Sequence, residues 1–158
     1  MKKVYVVELL LVLLLVGVMT LLLHQKPPRA DVTSAEVVTL VESIADKSTV
    51  SLAGTLRLRR AFGLNSADYD LVVYYMPASA LNVEEFLLIR ADESQLDAVQ
   101  AAMEARITSQ VAAFNHYGEK QTELLNKAVV YRIGNYLCLI VSEDPGEWLS
   151  AVKALLEV

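Results

Sequence analysis

Cysteine and histidine are nearly missing from this 158-residue chain, and that scarcity closes off much chemistry. Cys138 stands alone, so no intrachain disulfide and no cysteine-based zinc site can be built. Set inside the apolar run Tyr136-Leu137-Cys138-Leu139-Ile140-Val141, it reads as a small core residue. The two histidines, His24 and His116, are far apart in sequence. No G-x-S-x-G, H-E-x-x-H, P-loop or GxGxxG occurs, which leaves triad, metalloprotease and nucleotide-loop readings without support. No basic run exceeds Arg59-Arg60, and beyond Leu23 the chain has 12 basic and 18 acidic residues, once Lys2, Lys3 and Glu8 are set aside. Such an acidic domain is a poor partner for nucleic acid. We therefore expect no catalytic residue, no metal and no cofactor.

What the chain does have is one long apolar run. Val4 to Leu23 is interrupted only by Glu8 and Thr20, apart from Gly17. About 20 residues at 1.5 Å of rise span the roughly 30 Å hydrocarbon layer of a bilayer. The residues that follow, His24-Gln25-Lys26-Pro27-Pro28-Arg29, lack the small residues of a signal-peptidase site. The reading is an uncleaved signal anchor over 4–23, with 1–3 cytoplasmic by the positive-inside rule, 24–30 a proline-containing spacer and 31–158 a soluble domain outside. Glu8 lies about one turn inside, where it can snorkel or meet a partner helix. Gly17 has no second small residue four positions away to support self-pairing.

In the domain, Asp31 or Thr33 can cap a helix bearing Val37, Leu40, Val41 and Ile44. A second helix is predicted from about Ser51 to Phe62, closed by Gly63. Arg57, Arg59 and Arg60 on it form either a solvated face paired with local acids or a surface for anionic lipid or wall polymer. Strands follow at Leu71–Met76 and Val83–Ala91; in the second, Val83, Glu85, Leu87 and Ile89 share one face and Glu84, Phe86, Leu88 and Arg90 the other. Asp92 caps a long helix with the stripe Leu96, Val99, Met103, Ile107, Val111 and Phe114, and a shorter helical or turn segment follows over 119–126. Gly134-Asn135 joins two more strands in a tight hairpin, and Asp144-Pro145 opens a last helix. The order predicts an α+β fold: after the transmembrane helix, a mainly antiparallel four-stranded sheet of two hairpins with helices packed on it.

Phe62-Gly63-Leu64, Asp68-Tyr69, Val83 to Arg90, Arg106, Gln110, Phe114, Tyr117-Gly118, Gln121, Leu125 and Gly134-Asn135-Tyr136 follow one another in an order and spacing that resembles domain-of-unknown-function family 4358. The resemblance covers about residues 40–155. It implies a bacterial, membrane-tethered or lipoprotein-type extracytoplasmic domain with no assigned activity to transfer. This chain departs from the lipoprotein pattern by lacking the anchor cysteine.

Two carboxylates can hydrolyse a glycoside only if they flank one bond, and adjacent strand residues such as Glu84 and Glu85 point to opposite faces. Pairing of one of them with Arg90 or Arg132 is the structural alternative. Tyrosines beside charged residues can form a recognition surface, for which Tyr75, Glu84, Glu85, Arg90, Gln110, Tyr117, Arg132 and Tyr136 are the candidates; half-buried core-edge rings are the plainer reading. The expected function is a single-pass, membrane-anchored, extracytoplasmic, non-catalytic domain that binds an envelope protein. The alternative is a small-ligand sensor or carrier with a polar pocket between the sheet and the long helix. A deep pocket with convergent Tyr, Arg and Glu would favour the second, a flat aromatic patch the first.

Overall fold

The computed structural model describes residues 2–23 and 27–157; of the helical residues 2–6 and 20–23, the backbone alone is described. Helix α1 covers Lys2–Leu23. Among the described residues no helix is long and apolar enough to cross a membrane. The side chains described in α1 run from 7 to 19, so both ends of the expected anchor, with Lys2, Lys3 and Tyr5, lie outside the described side chains. His24 and Lys26 lie outside the described residues altogether. Within the described stretch, Val7, Leu11 and Leu15 are each more than half exposed, and Glu8 is exposed too.

The domain alternates helices with short strands: α2 (Ser34–Ile44), β1 (Val50–Leu52), α3 (Thr55–Phe62), β2 (Leu71–Pro77), β3 (Glu85–Arg90), α4 (Glu93–Phe114), α5 (Glu119–Asn126), β4 (Val129–Ile133), β5 (Tyr136–Val141) and α6 (Pro145–Leu156). The fold is α+β, as expected, but the antiparallel sheet has five strands rather than four, in the order β1-β2-β3-β5-β4. The extra strand lies where the second helix was expected to begin. Ser51 and Leu52 pair with Met76 and Tyr75 of β2, and the helix starts only at Thr55. Ala53 N–H donates to Tyr74 O at 2.8 Å, so these backbone groups are already used by the sheet.

Local signals hold elsewhere. Thr33 is the cap of α2: its N–H donates to Glu36 Oε2 at 2.8 Å, and Glu36 N–H donates back to its hydroxyl at 3.3 Å. Gly63 ends α3 at φ 72°, a left-handed conformation that glycine adopts without a Cβ clash. Ile133 pairs with Tyr136 across Gly134-Asn135, with Gly134 at φ 52°, as a two-residue hairpin turn requires.

The alternation along β3 divides the core in two. Val83, Leu87 and Ile89 join Tyr74, Leu137 and Leu139 beneath α3, α4 and α5, where Leu96, Val99, Met103 and Phe114 are buried. Phe86 and Leu88 join Val73, Tyr75, Cys138 and Ile140 beneath α2 and α6. The sheet is therefore the middle of three layers. Its central strands are apolar on both faces because helices cover both.

Cys138 sits in the second layer, 1 % exposed, and burial pushes its thiol well above the usual range. Thiolate is the reactive form. The native protein at pH 8 is expected to resist Ellman's reagent and to react fully once denatured. Rapid reaction of the native chain would mean that the layer formed by α2 and α6 opens readily.

Candidate functional site

Glu85 is the chemically unusual residue of the domain: a carboxylate only 3 % exposed, near the start of a central strand. The β alternation turns it toward α4, where Arg106 reaches down from the helix. Arg106 Nε donates to Oε2 at 3.1 Å and Nη2 to Oε1 at 3.2 Å, a two-pronged pair that fixes the plane of the guanidinium. Tyr74, on neighbouring β2, donates its hydroxyl to Oε1 at 2.5 Å. Burial, and then the Glu85 charge, push the Tyr74 phenol far above its ordinary range, so it stays a neutral donor. Phe62 from α3 meets the Tyr74 ring edge-on at 5.3 Å, and the Arg106 guanidinium lies 5.9 Å from the Phe62 ring centre. Both Glu85 oxygens are occupied. The carboxylate's work here is to hold Arg106.

Above this network opens a cleft of about 600 Å³, walled by α3, α4 and the loop after β2. Arg57 and Arg60 enter from α3, three residues apart and so on one face; Arg106 and Gln110 enter from α4, four apart. Tyr117 stands at the rim, 75 % exposed, its ring 5.7 Å from that of buried Phe114. The loop wall is braced: Gln121 donates to Leu81 O at 2.9 Å and Asn82 to Thr49 O at 3.2 Å. Among the described residues no ion pair involves Arg57, Arg59 or Arg60, so the expected pairing of that face with local acids is not what is found.

Of the eight residues predicted for a recognition surface, Gln110 and Tyr117 line this cleft, Glu85 lies buried beneath it holding Arg106, and the others are dispersed. Glu84 faces away, into a separate hollow that also contains Lys120. Neither glutamate pairs with Arg90 or Arg132: Arg106 takes Glu85, Arg90 lies 3.7 Å from Asp70, and Arg132 lies 3.3 Å from Asp97. Tyr75 is buried on the opposite face of the sheet, its hydroxyl without a hydrogen-bond partner among the described residues. Sequence reasoning left Arg106 off the surface and weighed Arg57 and Arg60 toward solvent. The i,i+3 and i,i+4 spacings were the available signal.

Arg90 and Tyr136 turn out to be a clamp on the incoming chain. Tyr136 donates its hydroxyl to Arg29 O at 2.6 Å, Arg90 donates to Ala30 O, and Arg29 N–H donates to Leu156 O at 2.7 Å. Pro28 lies so close to the β4–β5 turn that a Cβ on Gly134 would fall 2.5 Å from its ring. Residues 28–30, the last part of the proline-containing spacer, are thus docked on the domain. Gly134→Ala adds that clash to a positive φ and is expected to cost about 1–2 kcal/mol. Trypsin should then cut after Arg29 faster than in the parent chain; an unchanged cleavage rate would mean that the clamp holds without Gly134.

The family model described as Domain of unknown function (DUF4358) matches residues 43–142, more than half of the chain. The chain belongs to that family. No curated protein matches it, and no solved structure does. Every residue lining the arginine cleft lies within the DUF4358 match, as does the whole five-stranded sheet. Helix α6 and most of α2, which cover the other face, lie outside it. Phe62, Glu85, Arg106, Gln110, Phe114 and Tyr117, scattered along the sequence among the residues that carry the resemblance, converge on this one place in the DUF4358 domain.

Proposed function

We propose that this chain is a single-pass, membrane-anchored extracytoplasmic domain that binds a small ligand without transforming it. The observation that carries the reading is the cleft between α3 and α4, where arginine, glutamine and tyrosine converge on about 600 Å³. That volume is in the range of small-molecule sites, and its deepest polar group is preset by Glu85 and Tyr74 rather than left to reorganise on binding. An envelope protein partner is the weaker reading. It calls for a flat exposed aromatic patch, whereas Tyr74, Tyr75 and Tyr136 are buried and Tyr117 stands at the cleft rim. The anchor reading is supported by the long apolar run, broken only by Glu8 and Thr20 apart from Gly17, and by the exposure of its described side chains, and the outward orientation by Lys2 and Lys3 ahead of it.

The test is NMR on the full chain in neutral detergent, titrated with separate sets of amino acids, sugars and small organic acids. At least one probe should shift the Tyr117 and Gln110 signals saturably, and Gln110→Ala should weaken that response. If no probe moves them while crosslinking in cells captures a protein at Tyr117, the domain is a protein-binding module instead. A reporter fused at Val158 should be active outside the cytoplasm; activity confined to the cytoplasm would overturn the orientation.

A further inference from the structure

Granting the cleft as a binding site, we propose that its ligand is a small oxyanion, a molecule carrying carboxylate or phosphate groups, gripped by Arg57 and Arg60 against Arg106. The domain beyond Leu23 is acidic overall, yet the side chains of this cleft collect three arginines from two helices. Among the described residues only one is neutralised. Arg106 is committed to Glu85, while Arg57 and Arg60 are exposed and have no acidic partner among the described residues. Like charges gathered in a concave site repel one another, and an anion removes that penalty. Guanidinium groups suit the task because each presents a planar fork that matches the two oxygens of a carboxylate or phosphate.

The three arginines do different work in this arrangement. Arg106 is the fixed contact. Its Nε and Nη2 face Glu85, which fixes the edge that remains toward the cleft, and the guanidinium lies 5.9 Å from the centre of the Phe62 ring. Arg57 and Arg60 supply the uncompensated charge. Gln110 and Tyr117 offer neutral donors and a ring face to the rest of the ligand, so the site can distinguish an organic anion from a bare one.

Citrate, pyrophosphate and inorganic phosphate are the probes, with spermidine and glucose as cationic and neutral controls, titrated calorimetrically into the full chain in neutral detergent. Citrate or pyrophosphate should bind saturably, inorganic phosphate more weakly, and the controls not at all. Arg57→Gln with Arg60→Gln should weaken anion binding at least tenfold and leave the melting temperature of the free protein no lower than the parent's, because neither side chain has an acidic partner to lose among the described residues and their mutual repulsion is relieved. Affinity should also fall as salt is raised. Equal binding to parent and double variant would overturn the proposal. So would binding of the full chain to vesicles containing phosphatidylglycerol, but not to phosphatidylcholine vesicles, that free citrate and pyrophosphate do not compete away; the arginines would then meet a membrane surface. Saturable shifts at Gln110 and Tyr117 with glucose, and none with the anions, would overturn the oxyanion while leaving the binding-site reading intact. No response to any probe at those residues would overturn both.

Discussion

Glu85→Ala is expected to destabilise the domain by about 3 kcal/mol, the lower end of what removing one partner of a buried ion pair costs. The lower end applies because the Arg106 side chain, 19 % exposed at the floor of the cleft, can turn partly to water when its partner goes. Tyr74 cannot follow, since its ring is pinned edge-on by Phe62, and its buried hydroxyl is left without an acceptor. Chemical denaturation of the full chain in neutral detergent measures the loss. Glu84→Ala is the matched control, one residue earlier, just before the strand and facing the separate hollow, and should stay within about 0.5 kcal/mol of the parent. Combining Glu85→Ala with Arg106→Ala should be less costly than the sum of the two, with a coupling of about 1–3 kcal/mol. Additive losses would mean that the two groups do not share an interaction in solution, and the preset geometry of Arg106 would lose its basis.

The same residue shows what the sequence could and could not carry. Period-two alternation correctly set Glu85 with Val83, Leu87 and Ile89 and against Glu84, because side-chain direction along a strand is local geometry. Which helix that face meets is not local. Arg106 is 21 residues further on, and nothing in the intervening sequence says that α4 folds back so that Glu85 meets Arg106 rather than Arg90 or Arg132. The arginines were legible helix by helix, through the spacing of Arg57 with Arg60 and of Arg106 with Gln110. Their convergence depends on how α3 and α4 lie across one sheet. Strand β1 was missed for a different reason. Val50-Ser51-Leu52 is too short to display a period, and the leucines that follow it suit a helix; only pairing with Tyr75 and Met76 makes it a strand. Tyr136 and Arg90 resembled a recognition pair because sequence alone does not show that residues 28–30 return to cover them.

The three-layer arrangement makes a second large prediction. Leu87 and Leu88 are neighbours on β3, both 0 % exposed, and they point into different cores: Leu87 toward α3, α4 and α5, Leu88 toward α2 and α6. A sheet covered on one side would tolerate alanine at one of them and not at the other. Here Leu87→Ala and Leu88→Ala should each cost about 3 kcal/mol, since each removes buried methyl groups and leaves a cavity that packed neighbours cannot fill. Their consequences should nevertheless differ. Leu87 shares its layer with Tyr74 and Phe62, so its loss should also disturb the signals of Arg106 and Gln110; Leu88 shares its layer with Cys138, so its loss should speed the reaction of that thiol with Ellman's reagent. A nearly silent Leu88→Ala would mean that α2 and α6, which lie largely outside the family match, do not cover the sheet in solution. Equal losses with those separate signatures would place the arginine cleft and the incoming chain on opposite sides of one rigid sheet.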